Sequence, residues 1–426
     1  FTYRSFKLRE QAYPRGKLHR AVRYLFLSVL GMFAVIFSVL ILCIAAAVFG
    51  KAPEDAVLVF DKGEGGYYCH KIPYLYRSMT GTLIAMAEGR GKNGRDACDD
   101  FSGTDLVFKR SFDDGKTWSP LGLVWSNSTE EETNVIGNAG IVQDSSTGRI
   151  WIPLCRNNEE VYLLYSDYDG ESWSPPVYQP QLVHDDWKWV GLGPPSGLQL
   201  SSGRLLVPSY HTTLYKGDGC VSKGHTIYSD DHGVTWLIGS DSFGAPYFSN
   251  ECQAVELKNG SVLVNARTIS THRIQILSND GGLTFEVPMR MTDLVETVEG
   301  CEGSIARDAS ANILYYSGAF NDGLIRRNMT VLRSLDEGLS WSPFIAVDRG
   351  AVAYSAMQIL YPSSAQQLQH SQQLKKGLSR SVASRDAARI SSSTGTSSVL
   401  GLLYERSDNI SLIFEPDQIL FVAYKI

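Results

Sequence analysis

Basic residues are not in excess in this chain of 426 residues. It carries 39 Lys and Arg against 45 Asp and Glu, a formal net charge of −6. A general nucleic-acid-binding protein usually presents a basic face, so this balance argues against that class and against a nucleic-acid partner. Cysteine is scarce as well: there are seven, and no two of them have the spacing of a zinc site, which argues against metal binding by sulfur.

The sequence also has few long stretches with helical periodicity. Glycine, tyrosine and tryptophan are abundant instead, with 39, 21 and 8 copies. This composition predicts an all-β protein rich in turns. Length alone would suggest about three domains, but repeat proteins do not follow that rule, so internal repeats are more informative.

Charge is absent from residue 24 to residue 50, a run of 27 mainly apolar residues. About 20 apolar residues cross a bilayer, and a cleaved signal peptide has a shorter apolar core. We therefore predict a single transmembrane signal anchor at 24–50. Seven basic residues against one acidic residue in 1–23 predict a cytosolic tail.

This orientation makes the protein single-pass type II. The part from residue 51 onwards is then lumenal or extracellular, in the Golgi, the lysosome or at the cell surface. Because the first residue is Phe, we also expect further residues before it.

Two other features fit an oxidising compartment. Six cysteines lie outside the apolar run, and six can pair in 15 ways, among which the sequence does not choose. Candidate glycosylation sites of the Asn-x-Ser/Thr type begin at Asn127, Asn259, Asn328 and Asn409.

A short element of the form Ser-x-Asp-x-Gly-x-Thr-Trp recurs along the chain. Its copies begin at Ser111, Ser229, Ser278 and Ser334, and a weaker copy begins at Ser166. Their spacings of 49 to 63 residues suit one four-stranded blade of a β-propeller. Five copies, together with a divergent blade closed by the N- and C-terminal strands, predict a six-bladed propeller over 51–426.

The recurring Asp could be interpreted as catalytic or calcium-binding. One residue type repeated on every blade is more typical of a structural turn. There the Ser and Asp side chains bond backbone amides, and Gly supplies a positive φ angle.

With the Ile72-Pro73 pair and the Asn250-Glu251-Cys252-Gln253 segment, these Asp-box repeats resemble the sialidase (neuraminidase) family over roughly residues 67–426. The resemblance implies an exo-α-sialidase. Such an enzyme removes terminal sialic acids from glycoproteins, glycolipids or oligosaccharides with retention of configuration. The resemblance implies neither a cofactor nor a metal.

The chemistry of such a reaction sets demands of its own. Sialic acid carries a carboxylate on its anomeric carbon, so its site needs fixed cations, ideally guanidinium groups. A carboxylate nucleophile would be repelled there, whereas a tyrosine activated by a neighbouring carboxylate is neutral. An acid must also protonate the leaving oxygen.

The resemblance supplies a residue for each catalytic role. The Ala353-Tyr354-Ser355 segment gives Tyr354 as nucleophile, and Glu251 takes the place of the general base. Counting back from the first Asp box favours Asp100 as the acid, with Asp99 in reserve.

The resemblance likewise supplies the groups that bind the sugar carboxylate: Lys71, Arg267 and Arg326, with Arg90 and Glu405 in support. Taken singly, each of these side chains is more often structural than functional. The argument rests on their joint occurrence in the family's order. Trp187, Trp189 and the run 191–197 are candidates for a pocket wall or for core packing.

One position departs from the family pattern. The Arg-Ile-Pro motif reads Lys71-Ile72-Pro73 here, and lysine keeps the charge but loses the two-pronged guanidinium. Two alternatives therefore stay open: a catalytically impaired, lectin-like propeller that binds sialic acid, and a trans-sialidase. A third class, an Asp-box sorting receptor, would not need the site motifs.

Residues 363–398 fit none of this. The segment is rich in Ser, Gln and Arg, which predicts a disordered loop insertion. The alternatives are a basic partner-binding loop and a retained intron.

Overall fold

The fold is described from a computed structural model, which covers residues 51–91, 98–129, 132–214, 222–361, 398–408 and 416–426. The predicted tail at 1–23 and the predicted anchor at 24–50 lie outside these residues. So does the predicted loop 363–398, apart from Ser398. No helix within the described ranges is long and apolar enough to cross a membrane.

The described chain is all-β, as predicted, and its named strands pair antiparallel in five sheets. One sheet holds β2 (Cys69–Arg77), β3 (Leu83–Arg90), β4 (Thr104–Ser111) and β5 (Gly122–Trp125). The next holds β6 (Ile136–Gly137), β7 (Val142–Gln143), β8 (Ile150–Arg156), β9 (Glu160–Ser166) and β10 (Val177–Tyr178). A third holds β11 (Trp189–Gly191), β12 (Leu198–Gln199), β13 (Leu205–Thr212), β14 (Ser222–Ser229) and β15 (Leu237–Ile238).

The fourth sheet holds β16 (Cys252–Glu256), β17 (Val262–Ala266), β18 (His272–Ser278) and β19 (Met289–Val295). The fifth has seven strands: β20 (Ser304–Asp308), β21 (Ile313–Ala319), β22 (Arg327–Ser334), β23 (Ser342–Leu360), β24 (Val399–Ser407), β25 (Gln418–Lys425) and β1 (Val57–Asp61). Two short 3-10 helices, Glu64–Gly66 and Pro180–Leu182, complete the described elements.

The seven-stranded sheet consists of two four-stranded units that share β23. This strand pairs with β22 through its first part and with β24 through its last part. At the far edge β1 pairs with β25, so that Val57 lies opposite Phe421. The predicted pairing of the N- and C-terminal strands is therefore confirmed.

The recurring element forms a turn that satisfies its own polar groups. In the first copy, Asp113 accepts the Thr117 amide through Oδ1 at 2.9 Å and the Thr117 hydroxyl through Oδ2 at 2.6 Å. The Ser111 hydroxyl accepts the Gly115 amide at 2.9 Å. The same three contacts recur in the copies that contain Asp231, Asp280 and Asp336. Each of these carboxylates is engaged within its own turn, which agrees with the structural interpretation.

Glycine in this turn also permits contact between sheets. Gly115 has φ of 87°, and a Cβ there would lie 2.1 Å from the Phe421 ring. Trp118, three residues on, meets the same ring edge-on at 5.7 Å. The turn after β4 therefore packs the β2–β5 sheet against β25, which only glycine allows at this position.

The cysteines pair only in part. Cys69 and Cys98 form a disulfide, whereas Cys155, Cys252 and Cys301 are free and buried. Cys220 lies outside the described residues. The even number of cysteines therefore does not translate into three disulfides, because these three thiols are buried in three different hydrophobic clusters.

Buried histidines should make the protein sensitive to acid. Burial and then Lys223 lower the pKa of His211 to about 4, and burial and then His211 lower that of His225 well below 6.5. Their Nδ1 atoms are 3.2 Å apart, and His184, Asp186 and Asp241 are the other charged or titratable neighbours. The unfolded chain then binds protons more readily, so stability is present above about pH 6.5 and is lost as pH falls toward 4.

We expect the melting temperature of the wild type to fall over this window, and His225→Gln to flatten the fall. Thermal unfolding at half-unit steps of pH measures it, with the exposed His184→Gln as control. If the melting temperature fell with pH at the same slope in wild type and His225→Gln, the buried histidine would not be the cause of the acid sensitivity.

Candidate active site

A hairpin brings a carboxylate and a guanidinium together. Glu251 directly precedes β16 and Arg267 directly follows β17, and their ladder continues because the Arg267 amide donates to the Glu251 carbonyl at 2.9 Å. The side chains meet above it, with Arg267 Nη1 2.6 Å from Glu251 Oε2. The spacing of sixteen residues in the sequence is thus the length of one hairpin.

Tyr354 completes this group from another sheet. It lies on β23, and its hydroxyl donates to Glu251 Oε1 at 2.5 Å. Arg267 Nη1 donates to the same hydroxyl oxygen at 3.1 Å. Burial, then Glu251, raises the pKa of Tyr354 well above 10, so the resting side chain is the neutral phenol.

The guanidinium of Arg326 lies over the aromatic ring of Tyr354. Arg326 directly precedes β22, and its guanidinium lies 5.4 Å from the centre of the Tyr354 ring. Its Nη2 donates to the Gly300 carbonyl at 3.1 Å. Although burial opposes the charge, Cys301, Tyr354 and Glu251 raise the pKa of Arg326, so it stays cationic.

The predicted acid lies on the loop between β3 and β4. Asp100 Oδ1 is 3.0 Å from Arg90 Nη1, and Arg90 in turn donates from Nη2 to Glu88 at 2.6 Å. Asp99 instead accepts the Phe101 amide at 2.8 Å and serves its own turn. The geometry thus separates two neighbouring aspartates that the sequence left nearly equivalent.

A disulfide fixes this loop relative to β2. Cys98 lies two residues before Asp100, and its partner Cys69 lies two residues before Lys71. The covalent bond therefore ties the acid loop to the strand of the third predicted cation.

Lys71 projects from a distorted stretch of β2. Ile72 has φ of 53°, unusual for a β-branched residue, and the ladder with β3 shifts register after Lys71. Glu405 accepts the Ile72 amide at 2.8 Å and the Tyr354 amide at 3.4 Å. Glu405, predicted as a supporting residue, thus holds the backbone that carries Lys71 and Tyr354, and its charge favours the ammonium form of Lys71. Within the described residues, no carboxylate lies within ion-pair distance of the Lys71 ammonium.

These side chains share one cavity of about 850 Å³. Seven of the eight predicted site residues line it: Lys71, Arg90, Asp100, Glu251, Arg267, Arg326 and Tyr354. The eighth, Glu405, is buried and does not line the cavity. Trp189 lines the cavity, whereas Trp187 is buried and stacks on His211 at 3.9 Å.

Sequence reasoning missed most of the polar lining of the cavity: Asn138, Asn158, Tyr210, Thr212 and Ser222. These residues belong to none of the motifs that the sequence displays. Asn250 also lines the cavity and directly precedes Glu251 in the motif already noted. All of the five except Tyr210 lie at strand ends or in turns, where polar residues are common for other reasons.

No group of three or more His, Cys, Asp or Glu side chains is arranged to hold a metal in the part of the chain that the structure describes. The lining combines tyrosines and carboxyl groups with four cationic side chains, those of Lys71, Arg90, Arg267 and Arg326.

The position of Lys71 leads to a kinetic prediction. Burial, then Arg90, lowers the pKa of its ammonium below 10.5. A guanidinium group at position 71 would keep its charge and bind two carboxylate oxygens at once. We expect Lys71→Arg to raise kcat/KM for a sialoside about tenfold, with a larger gain at alkaline pH.

Steady-state kinetics between pH 5 and 9 measure this effect. Lys109→Arg is the matched control, because Lys109 is also largely buried but pairs with Glu64 outside the cavity. An unchanged or lower kcat/KM for Lys71→Arg would mean that the cavity is built for lysine.

Comparison with known proteins identifies the family and the fold. A family model described as a BNR repeat-like domain matches residues 73–370. Sialidase-3 of Rattus norvegicus is 30% identical over 284 residues, 58% of this chain and 64% of that protein. Sialidase-4 of Homo sapiens is 39% identical over 287 residues, 60% of this chain and 57% of that protein. The chain thus spans less than two thirds of the length of these curated relatives.

Among solved structures, the Hadza microbial sialidase Hz136 matches with a TM-score of 0.66 at 21% identity, covering 87% of this chain and 68% of that one. This likeness concerns the fold, which is all-β and of the propeller type. Fold and repeats together define an Asp-box protein of the propeller class. The chain belongs to the sialidase family.

Proposed function

We propose that this chain is an exo-α-sialidase that cleaves terminal α-linked sialic acids with retention of configuration. The observation that supports this most is the hydrogen bond of 2.5 Å between the Tyr354 hydroxyl and Glu251, inside a cavity lined by four cationic side chains. A tyrosine paired with a carboxylate suits a substrate whose own carboxylate would repel an anionic nucleophile.

In the proposed first step, Tyr354 Oη attacks the anomeric carbon as Glu251 accepts the phenol proton. Asp100 gives its proton to the glycosidic oxygen, and the bond to the leaving glycan breaks. In the second step, the Asp100 carboxylate takes a proton from water and the water oxygen attacks the anomeric carbon. The bond between that carbon and Tyr354 Oη breaks, and Glu251 returns its proton to the tyrosine oxygen.

The charges around the cavity favour this sequence. Tyr354 is a neutral phenol at rest, so a base must accept its proton during the attack. Arg267, 3.1 Å from its oxygen, stabilises the negative charge that develops there. Lys71, Arg267 and Arg326 are then the proposed ligands of the sugar carboxylate, with Arg90 holding Asp100.

The test is turnover of a fluorogenic sialoside by the purified full-length chain in detergent. We expect release of the fluorophore, with the α anomer of the sugar as first product by proton NMR. Saturable sialoside binding without turnover would contradict the enzyme hypothesis and favour a sialic-acid-binding lectin, the alternative that Lys71 suggests. Transfer to lactose in preference to water would instead favour a trans-sialidase.

We further propose a ring of six four-stranded blades. The four separate sheets and the two units that share β23 support this number. The pairing of β1 with β25 supports a ring closed by both ends of the described chain.

We also propose that residues 24–50 anchor the protein and that the propeller lies on the lumenal or extracellular side. The uncharged run and the basic tail support this, as does the Cys69–Cys98 disulfide, which suits an oxidising compartment. Carbonate extraction and peptide-N-glycosidase treatment test it, the latter at the exposed Asn259. Release by carbonate together with an unglycosylated Asn259 would contradict this topology.

A further inference from the structure

Three consecutive carbonyl groups beside the cavity each accept from a different guanidinium. The Glu299 carbonyl accepts from Arg267, Nε at 3.1 Å and Nη2 at 2.9 Å. The Gly300 carbonyl accepts from Arg326 at 3.1 Å. The third carbonyl, that of Cys301, accepts from Arg273 Nη1 at 2.8 Å.

These carbonyls belong to a tight turn. The Gly300 amide donates to the Thr297 carbonyl at 2.8 Å, and Glu299 and Gly300 have φ of 67° and 69°. A Cβ at Gly300 would lie 2.4 Å from the Thr268 carbonyl and 2.8 Å from Arg267 Cγ. The turn is therefore packed directly against the residue that contacts Glu251 and Tyr354.

Arg273 holds both ends of this turn from within the protein. It is fully buried, and it pairs with the Glu296 carboxylate before the turn and the Cys301 carbonyl after it. Asn265 accepts from its Nε. Arg273 does not line the cavity, so it contacts neither the proposed nucleophile nor a bound sugar.

We propose that Arg273 is a positioning residue for recognition of the substrate carboxylate: it fixes the 299–301 carbonyls, and these aim Arg267 and Arg326 at the ligand. This inference rests on the proposed function. A guanidinium binds a carboxylate through two parallel hydrogen bonds, and a misplacement of about 1 Å in such a site can cost as much as a hundredfold. Arg273 therefore affects the affinity for a ligand that carries a carboxylate without contacting that ligand.

The 299–301 turn has other hydrogen bonds to the protein, which remain when the contacts of Arg273 are removed. The Glu296 amide donates to the Thr271 carbonyl at 2.8 Å, and the Val298 amide donates to the Gly323 carbonyl at 3.2 Å. Substitution at Arg273 should accordingly loosen the turn while the sheets stay assembled. Arg273→Lys keeps the charge opposite Glu296 and removes the fork that reaches both ends.

The experiment compares two ligands that differ in one charge, the sialidase inhibitor DANA and its methyl ester. Calorimetric titration of the full-length chain gives both affinities. We expect Arg273→Lys to weaken DANA about tenfold or more, and the ester less than about twofold. KM for a sialoside should rise more than kcat falls.

Arg406→Lys is the matched control. Arg406 is also buried and pairs with a buried carboxylate, Asp348, at 3.0 Å, but neither residue lines the cavity. It should lower the melting temperature and leave the ratio of the two affinities unchanged. A merely structural role of Arg273 predicts that its variant behaves in the same way.

A second variant covers the case in which Arg273→Lys does not fold. Glutamine has the shape of Glu296 and keeps an oxygen that can accept from Arg273, and burial already disfavours the charge of Glu296 by raising its pKa. Glu296→Gln should therefore fold, and it should reproduce the acid-selective loss with a smaller amplitude.

The outcomes are read from Arg273→Lys, or from Glu296→Gln if Arg273→Lys does not fold. Equal losses of affinity for acid and ester, or no loss, in that variant overturn the positioning role alone. Failure of the wild type to bind DANA at all overturns the proposed function itself. Acid-selective loss in either variant, absent from Arg406→Lys, supports the proposal.

Discussion

Replacing Tyr354 by phenylalanine should lower kcat for a fluorogenic sialoside by at least about a thousandfold, while DANA still binds within a few-fold of the wild type. The variant loses the oxygen that would attack the anomeric carbon. It keeps the ring against Arg326 and the ion pair between Glu251 and Arg267. Chemistry and binding are therefore affected separately, because the cations that hold the sugar carboxylate remain.

Stability should change little by comparison. Glu251 loses one hydrogen-bond donor in a buried site, which costs about 1–3 kcal/mol, but Arg267 still pairs with its other oxygen. Turnover and thermal unfolding measured on the same preparation separate the two effects.

Tyr404→Phe is the matched control for Tyr354→Phe. Tyr404 is also buried and its hydroxyl donates to a carboxylate, that of Asp348, at 3.1 Å, but it does not line the cavity. It should lose stability and keep kcat. Equal activities of wild type and Tyr354→Phe would exclude the tyrosine as nucleophile, whatever the control shows.

Asp100→Asn should lower kcat/KM about a hundred- to ten-thousandfold for a natural sialylated oligosaccharide, and far less for an aryl sialoside. An alkoxide is a poor leaving group and needs a proton from the acid, whereas a stabilised phenolate leaves almost without help. The ratio of the kcat/KM values for the two substrates therefore reports on proton donation, because most effects on binding are common to both and cancel.

The neighbouring aspartate provides the control. Asp99→Asn removes a carboxylate from the same loop, but one whose contact is the Phe101 amide of its own turn. It should leave the substrate ratio near the wild-type value. If Asp99→Asn changed the ratio and Asp100→Asn did not, the two assignments would have to be exchanged.

Much of the fold follows from local sequence. The turn made by Ser111, Asp113 and Gly115 closes within five residues, and its hydrogen bonds depend on nothing distant. Such a turn can be recognised wherever it recurs, so repeat number and spacing predicted an all-β protein of the propeller type. The interpretation of the recurring aspartates as structural rests on the same local chemistry.

The relation between Glu251 and Arg267 was also local in origin. One hairpin joins them, and a ladder of neighbouring strands places their backbones opposite each other. Sequence spacing therefore anticipates this contact. The cavity residues Lys71, Arg326 and Tyr354 were predicted from a resemblance to a family, which supplied their roles without any geometry.

Other features came from packing between segments far apart in the chain. Tyr354 and Glu251 are separated by 103 residues, yet their side chains meet at 2.5 Å. Glu405 accepts the Ile72 amide across 333 residues, a backbone contact that the sequence did not predict. The free thiols of Cys155, Cys252 and Cys301 likewise depend on which sheets bury them.

The sequence by itself determined the repeat, the turn chemistry and the hairpin at Glu251, because each depends on residues close in the chain. Its motifs also supplied the list of candidate site residues, through their resemblance to a family. Only the tertiary structure decided that Asp100 rather than Asp99 pairs with Arg90, and that Lys71 has no carboxylate partner among the described residues. It alone revealed that Arg273 holds the 299–301 turn. Side-chain direction and burial depend on how the sheets pack, and packing joins residues whose separation in sequence carries no periodic signal.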